Sequence, residues 1–348
     1  MTRPGVFRSL VALRAKLGEL TALQEFDRAD LVQPLLSLDH ETGASTERLL
    51  ERVVTATRKL HDRGRLVMLD ATGMAAAPGL AGGPAALLAE LADRLHFPAT
   101  LMDGPVPFIP VVDTAADDLQ LLRIGRLAEE MGVGCALRIR HGPVTTQEMD
   151  VLLERLATSP RNLDVVVDLA YVRTVDARRV ELIARLVDLL EDCADFRSIT
   201  LLAGSIPKSL DRVDQWEQPR FEERLWHEVV RAGATRLRFG DYGVVHPIAA
   251  PGFRRSRHIS VKYSCADHWL YVREPIADPD ADEARARTVQ AVCRHLVDSG
   301  SFSGPQFSWG DRQFATAAGG TLDGLGSTTK PVAFATSHHL AYLVSTAA

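Results

Sequence analysis

The sequence has no pair of cysteines spaced to act together. Its four, Cys135, Cys193, Cys265 and Cys293, are scattered through 348 residues without a CxxC, which argues against a disulfide framework or a zinc site. Cys135 falls in an apolar strand pattern and Cys293 in a helical one, so both are expected to pack as small core residues. An uninterrupted apolar run of about 18 residues is also missing, so no membrane span is expected. The opening stretch VFRSLVALRAKLGEL is broken by Arg14 and Lys16 and has no signal-peptide pattern. A cytoplasmic protein is the expectation. There is no excess of positive charge either: a net charge of −5 and a pI near 6.1 make extended nucleic-acid binding a poor fit. The local run Arg254-Arg255-Ser256-Arg257-His258 reads as a solvated loop. Neither a G-x-G-x-x-G nor a G-x-x-x-x-G-K-[ST] phosphate loop occurs.

What is present is alternation. With 46% hydrophobic and 24% charged residues, the composition is that of an ordinary globular chain. Short apolar runs recur at 9–14, 31–39, 65–70, 108–113, 133–140, 163–169, 198–204 and 235–240. Between them lie amphipathic stretches such as 46–62, 116–131 and 175–192. Eight strands alternating with helices predict an α/β fold, a (β/α)8 TIM-like barrel over residues 1–250. An open doubly wound sheet is the competing architecture, and the missing phosphate loop counts against it. Residues 251–348 break the repeat: a hairpin over 258–274, a helix over 281–298, a Gly/Ser/Thr-rich stretch over 299–330 read as mobile loop, and a closing apolar segment. They are expected to form a cap on the barrel rather than an independent domain.

Four strands end in an acid, at Asp39, Asp70, Asp113 and Asp168, and a fifth brings Arg138 and Arg140 near its end. In such a barrel the C-terminal strand ends surround one mouth, where active sites sit. Several acids there repel unless a cation, a proton or an arginine intervenes. Each Asp taken singly fits a helix N-cap equally well; the ring of them points to a polar site. Gly204, Ser205 and Lys208 in LAGSIPKSL follow the seventh strand, where these barrels hold phosphate, though an ordinary turn reads the same. The stretch FGDYGVVHP adds Asp241, Tyr242 and His246 at the eighth strand end, with Gly240 and Gly243 permitting a bend. Of the adjacent His338 and His339, at most one is expected to enter the site.

Taken together, LRAKLGELTAL (with Lys16), LAGSIPKSL, FGDYGVVHP, ISVKYSCADHWLYVRE, FSWGD and ATSHHLAYLV resemble the phage "beta protein" family, over essentially the whole chain. Ser337 stands where the family pattern has Asn. The resemblance implies a barrel-like fold and a link to mobile elements or phage–host conflict, including antiviral defence; it implies no reaction. Two functions are open. The first is an enzyme for hydrolysis or transfer on a phosphate-containing small molecule or nucleotide: Asp70 and Asp168 as acid/base groups or ligands of a divalent cation such as Mg²⁺, Asp241 as a further catalytic acid, His246 as a proton carrier, Arg138 as charge stabiliser, Arg140 as a substrate-binding residue, and Lys208 with the Gly204–Ser205 backbone as anion binder. The second is a non-catalytic module that binds a ligand or protein partner as sensor or adaptor.

Overall fold

The computed structural model describes residues 7–27, 31–40, 45–77, 80, 82–96, 105–140, 142, 144–248 and 256–346. Seven strands lead off the barrel: β1 (Ser9–Arg14), β2 (Val32–Ser37), β3 (Met68–Asp70), β4 (Ile109–Asp113), β5 (Cys135–Ile139), β6 (Leu163–Tyr171) and β7 (Ser198–Gly204). An outlying strand β8 (Asp214–Pro219) follows, and β9 (Arg238–Asp241) then completes the set. Strands β1 to β7 pair in parallel with their neighbours, and β9 pairs with both β7 and β1, closing the barrel. The outer ring is α1 (Leu17–Glu25), α2 (Thr46–Asp62), α3 (Gly83–His96), α4 (Asp118–Met131), α5 (Thr146–Leu156), α6 (Ala177–Cys193) and α7 (Phe221–Arg231).

Strand parity builds two layers. Leu10, Leu35, Met68, Val111, Val166 and Leu202 fill the barrel interior. Their neighbours Val11, Leu36, Leu69, Val112, Val165 and Leu201 pack under the helices. A strand buried on both faces reads as a continuous apolar run, which is why these segments are legible. The helices start where their N–H groups find a side-chain acceptor: Ser45, Asp117, Thr145 and Asp176 cap α2, α4, α5 and α6, each contributing about 1 kcal/mol. None of the strand-end aspartates serves as such a cap.

The described residues past β9 add strands and helices that pack against the barrel elements. β10 (His258–Ser264) and β11 (His268–Pro275) make the expected hairpin, and α8 (Asp282–Val297) the expected helix. Strand β8 adds to the far edge of β11, so the three-stranded roof takes one strand from the middle of the barrel sequence. The stretch expected to be loop throughout contains α9 (Trp309–Gly319), followed by α10 (Lys330–Thr346). Ser308 caps α9 by accepting from Asp311 N–H, and Phe314, Ala317 and Ala318 bury its inner face. Small residues had hidden the helical pattern there. The expected division at 250/251, and Arg254 and Arg255, lie outside the described residues. No described helix is long and apolar enough to cross a membrane.

Candidate functional site

Strand-end aspartates share one local design. Asp70, Asp113, Asp168 and Asp241 each accept, through Oδ1, the backbone N–H two residues on, from Thr72, Ala115, Ala170 and Gly243 at 2.8–3.0 Å. This Asx turn ends the strand and locks the carboxylate. The second oxygen is thereby turned to a fixed direction. For Asp70, Asp113 and Asp168 that direction is the barrel mouth.

Arg138 and Arg140, both projecting inward from β5, meet these oxygens. Arg138 donates to Asp70 Oδ2 at 2.5 Å and to Asp168 Oδ2 at 3.0 Å. Its third contact is the Tyr242 hydroxyl at 2.7 Å, which in turn donates to Asp168 Oδ1 at 2.6 Å. Arg140 stands above, with Nη2 2.5 Å from Asp70, Nε 3.4 Å from Asp168 and Nη1 3.6 Å from Asp113. Guanidinium groups therefore occupy the space between the acids. Burial alone would raise the Asp70 pKa, but Arg138 and Arg140 more than offset that and hold it below the ordinary carboxylate range. Burial, opposed by Arg138, pushes the Tyr242 phenol up, so it stays protonated as a donor. The Arg138 side chain is 3% exposed and Arg140 is 25% exposed; only Arg140 presents its charge to the mouth. Asp113 Oδ2 is buried without a hydrogen-bond partner.

The ring continues towards β1. Asp39 lies 4.0 Å from Arg14 Nε, and burial raises its pKa against the pull of Arg14. Arg14 also donates to the His246 carbonyl at 2.7 Å. His246 shares its Nδ1 with Ile206 O at 2.7 Å and tilts against Tyr171, leaving Nε2 as the nitrogen that can meet a ligand. Above lies the roof. Lys262, Tyr271 and Trp216 are directly opposite one another on β10, β11 and β8, hence on one face. Two residues along, Gln218 donates to Ser205 O and Trp269 to Glu222, so that face looks down on the barrel rim. Tyr271 is fully buried, its hydroxyl has no hydrogen-bond partner, and its ring stacks on Trp216 at 4.9 Å.

The remaining expected residues are distributed elsewhere. Asp241 faces away from the mouth group and forms a second cluster: His339 Nε2 at 3.0 Å and Arg220 at 3.4 Å. His338, adjacent to His339, turns to Asp311 and the Ser264 carbonyl and stacks on Tyr263. The two imidazoles thus serve different clusters. Ser205 is buried with its hydroxyl unpartnered, whereas Lys208 and Lys16 are exposed. Among the described residues no group of three or more His, Cys, Asp or Glu is arranged to hold a metal ion. Sequence patterns did not single out Glu19, Arg14 or Lys262, because each becomes notable only through neighbours distant in the chain. A cavity of about 750 Å³ lies on the outer ring between α6 and α7. It holds none of the strand-end groups, so the chemistry directs attention to the mouth.

Comparison with known proteins bears on the whole chain. The family model described as Beta protein matches residues 11–345. "Protein beta" of Enterobacteria phage P4 is 24% identical over 246 residues, which is 68% of this chain and 65% of that protein. The alignment therefore spans under two thirds of the phage protein's own length. The YdjI aldolase from Escherichia coli K12 aligns over 68% of this chain and 75% of its own at 9% identity, with a TM-score of 0.37, too slight a likeness to carry an argument.

Proposed function

The chain belongs to the Beta protein family, and from that premise we propose that its roofed barrel mouth binds a small anionic molecule, of the nucleotide or sugar-phosphate kind, and performs acid–base chemistry on it. One observation carries this reading: Arg140 and Asp113 Oδ2, 3.6 Å apart, are the two groups of the floor whose bonding is incomplete. A ligand that offers an anionic oxygen to Arg140 and a hydroxyl or amino donor to Asp113 completes both. A bare anion does not suit, because three carboxylates already neutralise the two arginines. His246 Nε2 supplies a proton carrier at the rim.

A second reading has its own support. Arg138 is fully occupied by Asp70, Asp168 and Tyr242, which is how a rigid scaffold is built. On that basis the mouth recognises the same ligand without transforming it, as a sensor in phage–host conflict. Calorimetric titration of nucleotides and sugar phosphates, with mass spectrometry of the mixture, separates the cases. The expected result is one ligand whose affinity falls at least about tenfold, or roughly 1.4 kcal/mol, in both Asp113→Asn and Arg140→Ala. Unchanged affinity in both variants sinks the site; binding without product selects the sensor.

A further inference from the structure

The roof carries a pair that the reading above does not use. Lys262 lies on the barrel-facing side of β10, opposite Tyr271, and Glu19, in the first turn of α1, is 3% exposed. Among the described residues Lys262 makes neither a hydrogen bond nor an ion pair. The groups that face it are Glu19 from α1 and Arg273 from β11; Glu19 in turn feels Arg14 and Lys16. Arg14 is common to this group and to Asp39, whose carboxyl in turn feels Asp70 and Arg140.

Two physical effects make the pair unusual. Burial, assisted by Arg273, pulls the Lys262 ammonium down to about 8, while burial pushes the Glu19 carboxyl up to about 7. An amine with that pKa has on the order of a hundredfold more free base at neutral pH than an ordinary lysine. The chain has only five lysines, at 16, 59, 208, 262 and 330, and otherwise uses arginine, which cannot give up its proton. One of the five stands where a cation is penalised and a neutral amine is not. The orphaned hydroxyl of Tyr271 beside it is a donor without a protein acceptor.

We propose that Lys262 is a nucleophilic amine that condenses with the carbonyl group of an anionic aldehyde or ketone held in the mouth, with Glu19 as its acid–base partner. The Lys262 nitrogen attacks the carbonyl carbon and passes a proton to the Glu19 carboxylate. Glu19 delivers that proton to the alkoxide to give the carbinolamine, then protonates the hydroxyl, which leaves as water, and recovers the second N–H proton from the iminium, so that an imine and one water replace amine and carbonyl. This rests on the mouth being a ligand site and narrows its substrate class to carbonyl compounds.

Pyridoxal 5′-phosphate is an anionic aldehyde and serves as the probe. The full chain is incubated with it across pH 6–10, reduced with borohydride and mapped by mass spectrometry. The reduced adduct is expected at Lys262 ahead of Lys16, Lys59, Lys208, Lys330 and the α-amino group, with a midpoint near pH 8. Lys262→Arg, which keeps the charge, abolishes that adduct. Glu19→Gln slows it below about pH 7 more than at pH 9, a change of profile that a structural role does not produce. Even labelling of all lysines, or a Lys262 midpoint near 10, overturns the proposal. Asp113→Asn separates it from the floor: loss of ligand binding with Lys262 still labelled leaves both readings standing. Lys262 labelling with no ligand sensitive to Asp113 removes the floor reading alone.

Discussion

Two buried arginines organise this molecule, and they differ in what surrounds them. Arg138 lies under the mouth among Asp70, Asp168 and Tyr242. Arg220, fully buried, lies at the junction of barrel and cap. Glu222, Glu223 and Asp241 pair with it, and the rings of Trp269 and Tyr342 sit 5.2 and 4.7 Å away. Arg138 shares its acids with a second, half-open arginine. Among the described residues Arg220 shares its acids with no second arginine: His339 and Gly243 N–H meet Asp241, and Trp269 donates to Glu222. Neither buried charge nor an unpartnered buried atom by itself marks a site: at the junction, a strut sealed from solvent, Glu222 Oε2 and His339 Nδ1 lack hydrogen-bond partners too, and the floor is set apart by Arg140, whose half-open guanidinium faces the mouth beside Asp113. Asp70 and Asp241 make the same point. Burial would raise both, and cations more than offset it, Arg138 and Arg140 for the one, His339 and Arg220 for the other.

The comparison breaks most sharply at Arg220. Arg220→Met leaves two buried acids, Glu222 and Asp241, and the partly exposed Glu223 facing one histidine, and a loss of about 3–5 kcal/mol is expected in urea unfolding. Arg138→Met is milder, about 2–3 kcal/mol, because Arg140 still reaches Asp70 and Asp168. Equal losses would mean that Arg140 does not compensate and that both clusters are struts. In acid the two behave alike: both aspartates have folded pKa values below their unfolded ones. The stability they give is present above about pH 4 and lost as pH falls through the folded values.

The difference between the clusters is also a difference in legibility. Floor residues come from strand ends, and strand ends are visible in sequence: an apolar run of a strand buried on both faces, then Asp. Arg138 and Arg140 carry the same signature through their parity with Ala136. The junction draws Arg220, Asp241, Trp269 and His339 from four elements far apart in the chain, and no local pattern joins them. Strand β8 escaped notice because DQWEQP is mostly exposed and polar; pairing with β11 defines it, not alternation. Helix α9 escaped because its inner face includes Gly310, where a Cβ would meet the Phe334 carbonyl at 2.0 Å. Such close helix packing selects small residues, and small residues resemble loop. Adjacent histidines gave a sound geometric rule, since His338 and His339 do diverge, but not the partner of either.

The roof supplies the reverse of the junction. Glu19 is buried in the first turn of α1 without an ion pair among the described residues, and its folded pKa of about 7 lies above its ordinary 4.5. A raised acid contributes fully below the unfolded value and loses that contribution as pH rises through 7. Glu19→Gln should therefore match the wild type near pH 4 and exceed it by about 3 kcal/mol near pH 8. Thermal melts at the two pH values read this directly. A variant less stable at pH 8 would show that the carboxylate is paired after all, and would make the roof a second strut.

The finest test of the contrast uses two tyrosines. Tyr242 accepts from Arg138 at 2.7 Å and donates to Asp168 at 2.6 Å; Tyr342 donates to the Ala266 carbonyl at 3.3 Å, and its oxygen meets Arg220. Removing the first hydroxyl takes a bond from each of two buried ions; removing the second takes a contact from Arg220 alone, which keeps its acids and its ring contact. Tyr242→Phe should lower stability by about 1.5 kcal/mol and Tyr342→Phe by about 0.5 kcal/mol or less. If the mouth is a site, Tyr242→Phe also weakens ligand binding, because Asp168 loses a fixed neighbour and Arg138 can rotate towards Arg140. Tyr342→Phe leaves binding unchanged. Equal effects on stability and binding from both would erase the distinction between open floor and sealed strut.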